Sequence, residues 1–148
     1  MRKHEPAAVA HVRGSEAHPD IRGCVRFRQM DDGVLVTAEI RGLPGDDGIF
    51  AFHIHSGTGG TVEAPFACVG GHYDPAGRPH PYHAGDLPPL FGNRGYAYLS
   101  VFTDRFTVDE VLGLAVVIHA KPDDFTTQPS GNSGERIACG EIRRYKKV

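Results

Sequence analysis

The chain has 148 residues, of which 40% are hydrophobic and 23% charged, and its formal net charge is −2 at pH 7. This length predicts one domain over residues 1–148 that buries its own core. The near-neutral charge argues against a nucleic-acid partner, and no run approaches the roughly 20 apolar residues of a membrane span. The 19 glycines and 11 prolines predict many turns.

Short segments of alternating apolar and polar residues, separated by turn residues, run along most of the chain. Residues 1–7 are polar and predicted to be disordered. Strand candidates follow at residues 8–12, 21–29, 34–40, 49–55, 95–102, 114–119 and 137–145. Residues 107–112 predict a single helical turn or a bend. With about eight short strands and no long amphipathic helix, the pattern predicts an all-β antiparallel barrel or sandwich.

Two long segments lie between the strand candidates. Residues 56–94 have no sustained periodicity and are rich in proline and glycine, and residues 121–135 form a second long polar loop. Loops of this length are uncommon in a compact domain unless they are functional. A bound metal ion would order the first loop, which contains several ligand-type residues.

A histidine pair ends the strand candidate at 49–55. His53 and His55 are two residues apart, so on a strand they share one face and can reach one ion. His119 ends another strand candidate, and three imidazoles from two strands suit copper, zinc or nickel. The alternative is that His53 and His55 are surface histidines flanking a core pair, Phe52 and Ile54.

A second series of ligand-type residues follows in the first long loop. It consists of His72, His80, His83 and Asp86. Three imidazoles and one carboxylate satisfy a closed tetrahedral zinc site. The alternative is a histidine-rich turn with solvated side chains.

Other histidines and one cysteine are interpreted as surface residues. His4, His11 and His18 have a seven-residue spacing, but a solvated N-terminal region explains them more simply. Cys24 lies opposite Val25 in the alternation of its strand, which predicts an outward-facing thiol.

Six stretches of the chain, in this order, are shared with a known family. They are residues 52–55 (FHIH), 71–75 (GHYDP), 83–87 (HAGDL), 117–120 (VIHA), 123–124 (DD) and 134–140 (GERIACG). Together they resemble the copper–zinc superoxide dismutase family, especially its bacterial branch, from about Ile21 to the C-terminus. The resemblance implies a Greek-key β-barrel of about eight strands with two long functional loops.

The resemblance also implies a set of site residues, with one copper and one zinc ion per chain. The implied copper ligands are His53, His55, His72 and His119. The implied zinc ligands are His72, His80, His83 and Asp86, with His72 bridging the two ions.

Four further residues have implied roles. Asp123 would accept hydrogen bonds from one copper-side and one zinc-side histidine, with the neighbouring Asp124 as a rival for this position. Arg136 would attract superoxide near the copper. Cys68 and Cys139 would form a disulfide.

The implied activity is the disproportionation of superoxide to O₂ and H₂O₂ by Cu²⁺/Cu⁺ cycling, with His72 releasing copper and taking up a proton. The main alternative is a non-catalytic copper- or zinc-binding or copper-delivery domain on the same fold. A copper-only relative is disfavoured because His80, His83 and Asp86 are all present. A purely structural β-sandwich is the remaining possibility.

Partners and compartment follow from the same observations. Superoxide is the implied substrate, no nucleic acid or membrane partner is expected, and the chain is expected to be a monomer or a homodimer. Residues 1–6 lack the apolar core of a signal peptide, which predicts a cytoplasmic protein, or a periplasmic or extracellular one if a leader has been removed. A reducing compartment would oppose the disulfide.

Overall fold

A computed structural model describes residues 5–57 and 70–147 of the chain. Its regular elements are eight strands and one helix: β1 Ala8–Gly14, β2 Arg22–Gln29, β3 Val34–Arg41, β4 Ile49–His55, β5 Asp86–Phe91, β6 Ala97–Thr103, α1 Val108–Val111, β7 Ala115–His119 and β8 Arg136–Arg144. The predicted all-β class is confirmed.

The eight strands form one antiparallel sheet in the order β5-β4-β7-β8-β1-β2-β3-β6. The sheet curls until its two edge strands, β5 and β6, lie side by side, so the barrel is nearly closed. The pairs β3–β6 and β4–β7 join strands that are not consecutive in the chain. These crossovers give the Greek-key arrangement that the family resemblance implied, and they bring the ends of β4 and β7 together.

The core lies inside the barrel and follows the strand alternation. On β3, Val34, Val36, Ala38 and Ile40 are all fully buried, whereas the residues between them are partly exposed. Burying each large aliphatic or aromatic side chain contributes roughly 1.5–3 kcal/mol. The barrel is therefore held together mainly by inward-facing side chains, and it forms a stable base for the loops at its end.

One prediction was wrong: residues 56–94 were expected to form a long loop without a strand. Residues 86–91 form β5, with Leu87 and Leu90 buried in the barrel. The strand was hidden because it contains Pro88 and Pro89, which break the usual pattern. Proline lacks a backbone N–H and is tolerated on an edge strand, where that group need not enter a ladder.

Helix α1 confirms the predicted helical turn. Thr107 caps it, with its side chain accepting from the Glu110 backbone and the Glu110 side chain accepting in return from Thr107 N–H. Two of its own residues, Val108 and Val111, are buried. Among the described residues, no helix has the length and apolar character needed to cross a membrane.

Two residues near the ends of the described chain, Ala7 and Tyr145, are joined to the barrel by hydrogen bonds. Ala7 donates to the carbonyl of Phe27 and accepts from Tyr145 N–H, so hydrogen bonding begins within the segment that was predicted to be disordered. Residues 1–4 of that segment lie outside the described ranges.

Candidate metal centre

Three of the site histidines are fixed by two neighbouring strands. β4 and β7 pair so that His53 lies opposite Val117, and His119 ends β7 one step beyond Ile118. His53, His55 and His119 are 0%, 2% and 3% exposed. The alternative that His53 and His55 are surface histidines is therefore wrong, because both faces of β4 are covered from Phe50 to His55.

The first long loop is attached to β4 by backbone hydrogen bonds. Tyr73 N–H donates to Ile54 C=O at 2.8 Å, and Ile54 N–H donates to Gly85 C=O at 2.8 Å. His72 pairs with His55 in a short antiparallel bridge. These bonds place the loop histidines directly beside the strand histidines.

The first group of possible ligands has metal-binding atoms that all lie within 4.8 Å of one another. It consists of His53, His55, His72 and His119. In His55 and His119, Nδ1 lies 2.8 Å from Gly70 C=O and 3.2 Å from Gly134 C=O, respectively, so each ring donates from Nδ1. A neutral imidazole has a single N–H, which leaves a lone pair on each Nε2.

These two rings are neutral at physiological pH. Burial lowers the pKa of His55 to about 2 and that of His119 to about 4. Their Nε2 atoms nevertheless face each other at 3.2 Å, so the contact joins two lone pairs and is not a hydrogen bond. A cation bound between the two rings would be coordinated by both lone pairs and would remove their repulsion.

His53 adds a third lone pair. Its Nε2 donates to Asp123 Oδ2 at 2.7 Å, and its buried Nδ1 has no hydrogen-bond partner among the described residues. Burial also lowers the pKa of His53, so this ring too is neutral. A buried polar atom without a partner requires an explanation, and a role as a metal ligand would provide one.

The second group surrounds the Asp86 carboxylate. Asp86 Oδ1 lies 2.8 Å from His72 Nδ1, and Asp86 Oδ2 lies 3.1 Å from both His80 Nδ1 and His83 Nδ1. His80 Nδ1 makes no hydrogen bond, although it is buried. Burial would raise the pKa of Asp86, but the surrounding imidazoles outweigh it and lower the pKa. The Asp86 carboxylate is thus ionised, and imidazole nitrogen atoms of three histidines surround it.

His72 lies between the two groups. Its ring centroid is 4.0 Å from that of His53 and 5.2 Å from those of His80 and His83. Its Nδ1 contacts Asp86, whereas its Nε2 is buried without a hydrogen-bond partner in the described part of the chain. One imidazole therefore offers a nitrogen to each group.

Asp123 links the two groups through hydrogen bonds to one histidine ring of each. Its two carboxylate oxygens accept from His53 Nε2 and His80 Nε2, each at 2.7 Å. Burial would raise the pKa of Asp123, but these hydrogen bonds hold it well below its usual range. Asp124 instead accepts hydrogen bonds from Thr126 and Thr127, so the carboxylate that reaches the histidines is that of Asp123.

Gly131 makes the Asp123 contact possible, and replacing it with alanine should be costly. Gly131 has a φ of +75°, and an added Cβ would collide with Asp123 Oδ1 and lie 2.6 Å from His80 Nε2. We expect Gly131→Ala to lower the free energy of unfolding by about 2 kcal/mol or more and to displace Asp123. Denaturant unfolding of the metal-free chain measures the first effect.

Gly77→Ala is the matched control. Gly77 has a φ of +67°, but a Cβ there would meet nothing within 4 Å. It carries the same backbone penalty without the collision. Equal losses of stability in the two variants would contradict a steric role for Gly131.

Arg136 begins β8 and pairs with His119 across the sheet. Its guanidinium donates to Gly70 C=O at 2.8 Å, the carbonyl that also accepts from His55. Its positive charge contributes to the lowered pKa values of His55 and His119, although burial is the larger cause. A fixed cation thus stands beside the first group, within reach of an approaching anion.

The remaining cysteines and histidines do not join the site. Cys139 is buried in β8, and its proposed partner Cys68 lies outside the described residues, so the disulfide stays a prediction. Cys24 is partly exposed and lies 3.4 Å from His11 Nδ1 across β1 and β2. His18 contacts Ser15. His4 lies outside the described ranges.

Gly70 is a site residue that sequence reasoning missed. Its carbonyl accepts from both His55 and Arg136. Backbone acceptors carry no signature in residue type, and in the sequence Gly70 is only one of many glycines in the first long loop. The close approach of Ser56 Oγ, 2.5 Å from where a Cβ of Gly70 would lie, is visible only in the fold.

Comparison with known proteins places the chain among metalloenzyme relatives. The family model described as copper/zinc superoxide dismutase matches residues 21–142. "Superoxide dismutase [Cu-Zn] 2" of Aquifex aeolicus is 33% identical, over 90% of this chain and 86% of that protein. "Superoxide dismutase [Cu-Zn]" of Legionella pneumophila is 36% identical, over 82% and 77%.

A solved structure has the same fold. The crystal structure of the clock protein EA4 superposes with a TM-score of 0.78 at 30% sequence identity, covering 98% of this chain and 99% of that one. The overall fold is therefore shared over 98% of the chain.

Proposed function

The chain belongs to the copper/zinc superoxide dismutase family, and from this premise we propose that it is an enzyme that converts two superoxide anions and two protons to O₂ and H₂O₂. The family supports dismutation as the reaction. The identity of the metals and the role of each residue are our proposal for this chain.

The observation that carries the proposal is the position of His72. It faces one group of three imidazoles with Nε2 and another group, which contains a carboxylate, with Nδ1. A simple metal-storage site needs no shared ligand. A ring that contacts both groups suits a pair of ions that act together.

The donor sets differ between the groups, and so do the metals they suit. The first group offers four imidazoles, His53, His55, His72 and His119, which suit copper. The second offers His72, His80, His83 and Asp86, and three imidazoles with one carboxylate complete a tetrahedral zinc site. When bound, copper would supply a one-electron redox couple and zinc a fixed positive charge without redox chemistry.

The residues of the chain have three tasks in this account. The positive charge of Arg136, which lies beside the first group, draws a small anion toward it. Asp123 holds the rings of His53 and His80 in one orientation and one tautomer. The Nδ1 atom of His72 contacts Asp86, so its Nε2, which lies on the side of the first group, is the nitrogen at which this ring would take up a proton during the reaction.

Replacing Arg136 with alanine should mainly slow the capture of superoxide. We expect a roughly tenfold loss in kcat/KM, at the lower end of the range for electrostatic steering, an effect for which this family is a standard example. The dependence of the rate on ionic strength should also weaken. Pulse radiolysis or stopped-flow decay of superoxide at several salt concentrations measures both.

Arg143→Ala is the control for that experiment. Arg143 is an exposed arginine of the same strand that binds Glu141. Its removal should change neither quantity. If Arg136→Ala retains the salt dependence of the unmodified chain, Arg136 does not guide the substrate.

A non-catalytic copper or zinc carrier is the second candidate, because the relative of similar fold described above is named as a clock protein rather than a dismutase. The two functions differ in turnover. An enzyme removes many superoxide anions per chain, whereas a carrier reacts with no more than its bound copper. Superoxide decay at a large molar excess over the copper- and zinc-loaded chain separates them, and decay that stops near one equivalent would favour the carrier.

A further inference from the structure

His80 lacks support from secondary structure. It lies in a turn ahead of β5, and within the described ranges neither its N–H nor its C=O has a backbone partner. Its side chain is fully buried, with Nε2 on Asp123 and Nδ1 directed at Asp86. Buried backbone polar groups require partners, so another residue must hold this turn in place.

The side chain of Gln128 supplies both partners. Its Oε1 accepts from His80 N–H at 2.8 Å, and its Nε2 donates to His80 C=O at 2.8 Å. The amide thus pairs with the backbone of His80 as a neighbouring strand would. Gln128 belongs to the second long loop, 48 residues further along the chain.

Gln128 is itself held in place by its own loop. Its Nε2 also donates to Thr126 C=O at 3.2 Å, and Asp124 accepts from the N–H groups of Thr126 and Thr127. Asp123 immediately precedes this turn. One turn therefore directs a carboxylate to the ring of His80 and an amide to its backbone.

We propose that Gln128 is a positioning residue for the second metal group, holding the backbone of His80 so that Nδ1 meets the ion while Asp123 orients the ring. The inference rests on the proposed function, since it assumes that His80 is a zinc ligand. In the described part of the chain, the side chain of Gln128 forms its hydrogen bonds with backbone groups of His80 and Thr126 and not with a proposed ligand side chain. It acts only through the placement of His80.

The chain provides a closely matched control in Gln29. Both glutamines are exposed, and the side chain of each makes three hydrogen bonds to backbone groups. The bonds of Gln29 go to Met30, Gly33 and Val108, at the junction of β2, β3 and α1. Gln29→Ala therefore removes a similar set of bonds without touching His80.

The test compares the unmodified chain with Gln128→Ala, Gln128→Met and Gln29→Ala. Zn²⁺ dissociation constants are measured by competition with a chromophoric chelator, and Co²⁺ is bound in place of zinc so that its ligand-field absorption reports tetrahedral geometry. We expect both Gln128 variants to bind Zn²⁺ about tenfold or more weakly, as for other residues that orient a ligand, and to lose part of the Co²⁺ band. Gln29→Ala and the Cu²⁺ affinity of all four proteins should stay unchanged.

The outcomes separate the inference from the proposed function. If the unmodified chain takes up no Zn²⁺, the proposed function fails. If it binds Zn²⁺ but both Gln128 variants bind as tightly and give the same Co²⁺ spectrum, the positioning role is overturned. Gln128→Met preserves the length of the side chain, so it decides the matter if Gln128→Ala does not fold.

Discussion

Replacing His53 with alanine should abolish dismutase activity, with a loss of more than about 100-fold, because loss of a ligand should exceed the 10- to 100-fold cost of losing a residue that only orients one. His53 is fully buried, and its Nδ1 is one of the unpartnered nitrogens of the first group. Its removal also leaves Asp123 Oδ2 without its 2.7 Å hydrogen bond. Superoxide decay at fixed protein and metal concentrations measures the loss.

Two controls show whether the loss of activity comes from the lost ligand and not from misfolding or from the removal of any histidine. Denaturant unfolding shows whether His53→Ala still folds, and His11→Ala removes an exposed histidine from another strand of the same sheet. We expect His11→Ala to retain full activity. A folded His53→Ala protein with more than a tenth of the original activity would remove His53 from the proposed copper ligands.

Replacing Asp123 with alanine should weaken both metal groups at once. Asp123 accepts hydrogen bonds from His53 of the first group and from His80 of the second. Without it, His53 and His80 lose the contact that fixes ring and tautomer, which typically costs about 10- to 100-fold in metal affinity for each ion. Activity should fall by a similar factor or more.

Calorimetric titration with Cu²⁺ and Zn²⁺ checks this prediction, with Asp104→Ala as an exposed acidic control. Asp123→Asn is an informative companion because an amide retains one acceptor but cannot serve both rings as a carboxylate does. We expect its affinity for one ion to be closer to that of the unmodified chain. Selective loss of one metal in Asp123→Ala would show that the carboxylate does not couple the groups.

Much of the fold could be predicted because the signals were local. The alternation in β3 and the cap of α1 at Thr107 are encoded in adjacent residues. β5 was missed because Pro88 and Pro89 conceal it, and only its place at the edge of the sheet makes those prolines acceptable.

The site could be predicted only as far as residue types carry a signature. Imidazoles and a carboxylate at characteristic spacings indicated two metal groups, and the structure brings those side chains together beside the ends of β4 and β7, with His83 placed by its contact with Asp86. The residues that hold the proposed ligands in position could not be predicted from the sequence. Gly70 acts through a carbonyl, Gly131 through the absence of a side chain, and Gln128 through contacts across 48 residues of sequence.

We propose that two different ions together make this chain a dismutase. Metal content and activity measured on one sample test this proposal most directly: the chain is loaded with copper and zinc, freed of unbound metal, and analysed by elemental mass spectrometry and by superoxide decay. We predict about one copper and one zinc per chain, with catalytic decay that disappears when copper is removed. A sample that contains both metals in these amounts and shows no catalysis would contradict the account.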